Sequence, residues 1–309
     1  MGVKATGRTK LIWRNGALVP WEDATLHVMS HVVHYGSSVF EGMRCYATPD
    51  GGAIFRAPEH MRRLADSARI YRMELPYSPE ELVRACVETV NANGLDECYL
   101  RPIVVRAGEQ MGILATDSPL EVFIIAWQWG TYLGAEAVEQ GADVCVSSWR
   151  RFAPDTLPAL AKAGGNYLNA QLSKAEARQN GYVEGIMLDS AGFVAEGSGE
   201  NLFVVRDGII HTAPVSSGIL NGITRDSIMR IARDFGYEVR ETLMPREFLY
   251  VADELFFCGT AAEITPIRSV DGKPVGTGKP GPVTARMQKL FFGLFDGSTP
   301  DKYGWLEPA

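Results

Sequence analysis

The chain has 309 residues, 46% hydrophobic and 22% charged, the balance of a folded globular protein long enough for one large or two medium domains. A net charge of −7 without a basic stripe argues against a nucleic-acid partner. The five cysteines, at 45, 86, 98, 145 and 258, show no CxxC or paired spacing, so the chain reads as reduced and cytoplasmic, with neither a disulfide framework nor a zinc knuckle.

The opening MGVKATGRTK has no apolar signal-peptide core, although Gly2 and Thr6 fit the loose myristoylation pattern. LIWRNGALVP predicts a hairpin turning at Asn15-Gly16. PEHMRRLADSARIYRM predicts a helix with Pro58 at its start and Met61, Leu64, Ala68 and Tyr71 on one face. Arg63 lies beside that face, whereas Arg62 points outward. SPEELVRACVETVNANG is a second helix, capped by Ser78 and stopped by Gly94. CYLRPIVVRAG and LEVFIIAWQW read as buried strands. The uncharged run VFIIAWQWGTYLGA, between Glu121 and Glu136, is too short to cross a bilayer. Within it GTYLGAE breaks the pattern near residues 130–137, as an interdomain connection would.

ADVCVSSW predicts a strand, and GNYLNAQLSKAEARQNG a helix ending at Gly181. The stretch from Glu184 to Ala213 reads as a meander of strands, turning at Ser190-Ala191-Gly192 and Asp207-Gly208. GITRDSIMRIARDFG is a helix with Ile228, Ile231, Ala232 and Phe235 on one face. Strands and helices mix without a regular βαβ repeat, so the fold class is α+β.

Lys162, in ALAKAGGNY, carries the only charge between Asp155 and Lys174. A lone loop lysine is ordinarily solvated, but this neutral setting suits an ammonium held in an apolar pocket. Desolvation there favours the neutral amine, a nucleophile that forms a Schiff base with a carbonyl. Gly164 and Gly165 would let a bulky partner approach the backbone. A Schiff-base lysine suggests pyridoxal phosphate, which needs an anion site for its phosphate and a carboxylate for its pyridine nitrogen.

The sequence offers a candidate for each, and each has a plainer reading. Thr224, in LNGITRD, is either a phosphate ligand or an N-cap. Gly259, Thr260, Ala261 and Ala262 either aim amides at an anion or form a turn. Arg63 either meets phosphate or makes a surface ion pair. Glu196, in AEGSGENLF, either pairs with a ring nitrogen or is an exposed turn glutamate. His27, His31 and His34 mimic metal-ligand spacing, but no acidic residue lies between them, and packed or hydrogen-bonded histidines are the alternative. No metal is assigned. Tyr35 and Phe40, in the same stretch, either line a pocket or pack in the core.

Taken together, HVMSHVVHYGSSVFEGMRCY, FRAPEHMRRLADSARIYR, AKAGGNYLNA, EGSGENLF, GITRD, GTAAEITPIRSVDG and the tail FFGLFDG resemble the class IV, fold-type IV aminotransferases over nearly the whole chain. Within that family the nearest resemblance is to the bacterial branched-chain amino acid aminotransferases. It implies a two-domain, D-amino acid aminotransferase-like fold, with a small domain over 1–133, a larger cofactor-binding domain over 134–309, and the cofactor at the domain interface. It implies that Lys162 holds pyridoxal phosphate as a Schiff base and shuttles the substrate proton. Glu196 would meet the pyridine nitrogen and Tyr167 the ring oxygen. Arg63, the amides of Ile223 and Thr224, and Thr260 would hold the phosphate. Tyr99 and the Thr260–Ala261 amides would receive the substrate α-carboxylate. Phe40, Tyr35, Trp129 and Tyr132 would form the side-chain pocket, with Arg101 for the distal carboxylate of glutamate. The implied reaction is ping-pong transamination between leucine, isoleucine or valine and 2-oxoglutarate, by a cytoplasmic homodimer or dimer-based hexamer. Asn221 stands where some relatives carry proline. D-Amino acid aminotransferases and aminodeoxychorismate lyases share the lysine and glutamate. Tyr99-x-Arg101 with the aromatic set favours the branched-chain reading. A non-enzymatic, histidine-based metal or scaffold protein is the alternative from another class, and it would carry no chromophore.

Overall fold

The computed structural model describes residues 8–130 and 133–309. The Gly2/Thr6 pattern and Tyr132 lie outside the described residues. The chain divides into two compact units, one of residues 1–130, 161–165 and 295–309, the other of 131–160 and 166–294. The units are not two consecutive stretches, as a division at 133/134 would have them. Ala163 bridges to Val39, and the C-terminal strand pairs with a strand of the first fifty-odd residues, so both segments return to the first unit.

The first unit contains β1 (Leu11–Arg14), β2 (Ala17–Pro20), α1 (His31–Tyr35), β3 (Ser38–Phe40), β4 (Met43–Thr48), β5 (Gly51–Phe55), α2 (Ala57–Ile70), α3 (Pro79–Ala92), β6 (Cys98–Arg106) and β7 (Leu120–Trp127). Asn15 and Gly16 both take positive φ, 49° and 95°, which matches the β1–β2 turn to strand twist. Met61, Leu64 and Ala68 of α2 are fully buried, as their spacing predicts. Each larger apolar side chain so buried contributes about 1.5–3 kcal/mol. Ser78 and Glu81 form a reciprocal capping box at the start of α3.

β6 is a central strand, yet it contains Pro102, which cannot donate to a ladder. The proline falls where β6 changes partner: β4 pairs with Cys98–Leu100 and β3 with Ile103–Val105. The backbone N–H of Glu41 donates to the Pro102 carbonyl at 2.8 Å. This break leaves Glu41 and Gly42 between two short strands.

The second unit contains α4 (Ala135–Gln140), β8 (Ala142–Val146), α5 (Tyr167–Gln179), β9 (Glu184–Leu188), β10 (Val194–Glu196), β11 (Asn201–Arg206), β12 (Ile209–Thr212), α6 (Ile223–Asp234), β13 (Val239–Glu241), β14 (Glu254–Gly259), β15 (Glu263–Val270) and β16 (Lys273–Pro274). α7 (Pro282–Asp296) and β17 (Leu306–Pro308) follow, and β17 pairs with β5. The sheet runs β10-β9-β8-β15-β14-β11-β12-β13, and β10 also pairs with β11. That last pairing, Glu196 opposite Asn201, closes part of the sheet into a ring. Ile228, Ile231 and Ala232 of α6 are buried as predicted, but Phe235 is 46% exposed. The helix ends at Asp234, so Phe235 leaves the helical period that aligned it with the others.

Candidate active site

The first unit gathers Lys162, Phe40, Arg63, Tyr99, Arg101 and Trp129. Lys162 is fixed by its backbone. Its N–H donates to Ser67 Oγ at 3.0 Å, and its carbonyl accepts from the Phe40 N–H at 2.9 Å. The half-buried side chain places Nζ 5.0 Å from the centre of the Phe40 ring. Gly164 is required here for a different reason than the sequence suggests: a Cβ on it would meet Ser38 Oγ at 2.3 Å. That close neighbour belongs to the protein's own strand β3.

The Arg101 guanidinium carbon lies 4.6 Å from the centre of that same Phe40 ring. It also lies over Tyr99 and Trp127, at 5.5 and 5.9 Å. Nη2 of Arg101 donates to the Tyr99 hydroxyl at 3.4 Å, while its buried Nε has no hydrogen-bond partner among the described residues. A buried, unspent donor on an arginine is costly unless something accepts from it. Tyr99 is itself boxed by Trp127 and Trp129, at 5.0 and 4.2 Å between ring centres. Gly42 makes room for it, since a Cβ there would fall 2.0 Å from the Tyr99 hydroxyl.

Arg63 makes an ion pair, but a buried one. Its Nε and Nη2 donate to the two oxygens of Glu41 at 2.6 and 2.9 Å, and His60 Nδ1 contacts Glu41 Oε2 at 2.7 Å. Burial alone would raise the Glu41 carboxyl, but Arg63 and His60 outweigh it and hold the group far below the usual range. Burial pushes His60 down, and the Arg63 and Lys162 charges add to that against Glu41. The bidentate pair fixes the direction of the Arg63 guanidinium.

Tyr35 belongs to the same unit. It is 43% exposed on α1, stacks on His31, and accepts from the Gly112 N–H. The three histidines are hydrogen-bonded. His31 contacts Ser37 Oγ and the Gly112 carbonyl, His34 the Val28 carbonyl, and His27 the Met29 N–H. Among the described residues no group of histidine, cysteine, aspartate and glutamate could hold a metal ion. No helix among them is long and apolar enough to cross a membrane.

The second unit carries Tyr167, Glu196, Ile223, Thr224, Thr260 and Ala261. Glu196 is buried at the ring closure, not exposed in a turn. Its Oε2 accepts from Asn201 Nδ2 at 2.9 Å, and the Leu220 N–H lies 3.2–3.3 Å from both oxygens. Arg151 Nη2 lies 3.0 Å from Oε1. α6 begins at Ile223 behind Gly222, which has no side chain to turn onto the first-turn amides, and Thr224 is 4% exposed. Thr260, Ala261 and Ala262 form the short turn between β14 and β15, where Gly259 and Glu263 pair. Tyr167 opens α5.

A third buried carboxyl, Glu200, stands near Glu196. Its Oε2 accepts from the Gly199 N–H at 3.1 Å, and its Oε1 has no partner. Lys174, whose charge opposes the shift, is taken up by Glu184. Burial, with Glu184 and Glu196 adding, pushes the Glu200 carboxyl up to about 8.

Sequence reasoning did not single out Glu41, His60, Ser67, Trp127 or Arg151, and it noted Asn201 only through its spacing from Glu196. Glu41 was visible as a lone acid in SSVFEGM, and Arg151 as half of an unranked Arg-Arg pair.

The chemistry of this donor set fits pyridoxal phosphate. It contains an amine for the carbonyl, a buried carboxylate for a ring nitrogen, and a guanidinium, hydroxyls and helix-start amides for a phosphate. A family profile described as amino-transferase class IV matches residues 38–270. The chain is 54% identical over 305 residues to the branched-chain-amino-acid aminotransferase of Salmonella typhimurium strain LT2, covering 98% of this chain and 99% of that protein. The crystal structure of the Escherichia coli branched-chain amino acid aminotransferase matches at TM-score 0.96 and 54% identity, covering 97% of this chain and 99% of that one. The branched-chain amino acid aminotransferase from Thermobaculum terrenum, in its PLP-form (holo-form), matches at TM-score 0.90 and 36% identity, covering 97% and 98%.

The buried carboxyls can be tested by unfolding. Glu41→Gln breaks a fully buried ion pair and is expected to cost about 3–5 kcal/mol in urea unfolding, against no measurable loss for the exposed Glu22→Gln. Glu200 keeps its proton in the folded chain after the unfolded chain, at 4.5, has lost it. Stability from this group is full below 4.5 and is lost as pH rises toward about 8. The melting temperature of the wild type should therefore fall, relative to Glu200→Gln, across that window and run parallel to it above. A flat difference would remove the protonated carboxyl.

Proposed function

The chain belongs to the class IV aminotransferase family, and we propose that it moves the amino group between a branched-chain L-amino acid and 2-oxoglutarate, in ping-pong order, with pyridoxal phosphate held on Lys162. One arrangement carries the reading. The Lys162 amine and the Arg101 guanidinium lie on the same Phe40 ring, and Arg101 keeps one buried donor without a partner. An amine thus stands beside an apolar surface whose far end can receive a carboxylate. Such a pocket suits leucine, isoleucine or valine in one half-reaction and glutamate in the other.

Pyridoxal phosphate, when bound, supplies the electron sink that allows an amino acid to lose its Cα proton. The chain's residues do the rest. Lys162 Nζ takes that proton and returns it. Glu196 would present negative charge to the ring nitrogen, and the Tyr167 hydroxyl would bond the ring oxygen. Arg63, steadied by Glu41, holds the phosphate with Thr260 and the Ile223 and Thr224 amides. Tyr99 and the Thr260–Ala261 amides take the α-carboxylate. Phe40 and Trp129, with Tyr35 and Tyr132, enclose the side chain and exclude water. The reading draws on both units. A homodimer or dimer-based hexamer in the cytoplasm belongs to it, and the five buried free thiols suit a reducing compartment.

Borohydride treatment of the holoenzyme should fix the cofactor to the peptide containing Lys162, and Lys162→Ala should lose at least about a thousandfold in turnover. Labelling at Lys174 instead would sink the assignment. Arg101 tests the substrate claim. Leaving the distal carboxylate of glutamate buried and unmatched costs about 2–5 kcal/mol, so Arg101→Met should slow the glutamate half-reaction roughly 30-fold or more beyond the leucine half-reaction. Single-turnover rates for each amino acid decide it. Equal losses would point to bracing of the strand beside Pro102.

A further inference from the structure

We infer that Arg151 is a positioning residue, which sets the direction and charge balance of the Glu196 carboxylate toward the cofactor's ring nitrogen; the inference rests on the role of Glu196 given above. Arg151 is fixed at three points within the second unit. Its backbone N–H donates to the Leu188 carbonyl at 2.9 Å. Its Nε donates to the Gly218 carbonyl at 3.1 Å. Its guanidinium carbon lies 4.2 Å from the centre of the Phe152 ring. The remaining reach of the guanidinium ends at Glu196 Oε1, 3.0 Å from Nη2, with both side chains 8% exposed.

The other side of Glu196 is fixed as firmly. Asn201 Nδ2 donates to Oε2 and also to the Leu220 carbonyl, at 2.9 and 3.0 Å. The Asn201 amide is wedged against Gly222, where a Cβ would come within 1.9 Å of Asn201 Oδ1. Arg151, Asn201 and the Leu220 N–H therefore hold one carboxylate in one orientation. Its surroundings also contain the carboxyls of Glu200 and Glu184, the latter paired with Lys174. Arg151 brings a formal positive charge into direct contact with Glu196. Arg150, its neighbour in sequence, instead donates to the exposed Ser190 carbonyl. A rigid guanidinium stacked on an aromatic ring is a better brace than a flexible ammonium, and both supply the charge.

The test uses holoenzyme variants Arg151→Met, Arg151→Lys, Arg150→Met and Glu196→Gln, with pyridoxal phosphate as the probe. The readouts are the absorption band of the bound cofactor across the neutral pH range and the equilibrium affinity for added pyridoxal phosphate. Arg151→Met is expected to move the band in the direction Glu196→Gln moves it and to weaken cofactor binding about tenfold, the scale on which partners of a ligating group act. Arg151→Lys should recover the greater part of both changes, and Arg150→Met should change neither. Adding Arg151→Met to Glu196→Gln should move the band no further, because the two act as one unit. An unshifted band in Arg151→Met, with only a lowered melting temperature, would overturn the inference, as would equal impairment of the lysine and methionine variants. If Arg151→Met does not fold, an unshifted band in the Arg151→Lys/Glu196→Gln double variant relative to Glu196→Gln supports the inference, and a further shift refutes it. An unshifted band in Glu196→Gln itself would overturn the reading of Glu196 rather than that of Arg151.

Discussion

Two hydrogen bonds decide where the Lys162 amine stands. The Phe40 N–H reaches the Lys162 carbonyl, and the Lys162 N–H reaches Ser67 Oγ. They tie a five-residue segment of the mid-chain to strand β3 and helix α2, which lie far from it in sequence. β3 pairs with β6 and also bridges to Ala163 through Val39, and Gly164 lets the strap lie against Ser38. A strained or mobile loop would hold Nζ less well than a strap bonded on both sides.

The same logic of fixing groups through backbone and buried charge recurs across the site. Glu41 is a fully buried carboxylate that spends its oxygens on Arg63 and His60, so the arginine cannot swing. Glu196 is held by an arginine, an asparagine and an amide at the point where the second unit's sheet closes. Buried ion pairs of this kind are weak devices for stability, because desolvation offsets much of their attraction. What they secure here is orientation. Glu200 shows the converse: with Lys174 committed to Glu184, a third carboxyl in the cluster keeps its proton instead.

Much of the site was legible because its chemistry leaves marks in composition. A cation alone among small neutral residues marked Lys162, and the Gly/Ser-rich bend marked Glu196. The aromatic and arginine positions became legible through resemblance to a known family, not through periodicity. Tyr35 came from the motif alone, and in this chain its half-exposed ring lies against His31 on α1. Glu41 and Arg151 were missed because their importance lies in what they touch, Arg63 and Glu196, residues distant in the chain.

The sequence by itself determined the local elements. The Asn15-Gly16 turn, the apolar face of α2, the Ser78 capping box and the α6 face all follow from short-range sterics and period. It also determined the kind of chemistry available, since residue types set which groups can act as nucleophile, acid or anion ligand. Only the tertiary structure decided which of those groups share a ring, a carboxylate or a strand break. Lys162 and Arg101 meet on Phe40, and Arg63 and His60 meet on Glu41, through pairings between segments tens of residues apart. Such pairings depend on sheet register and buried charge balance, which no local window of sequence contains.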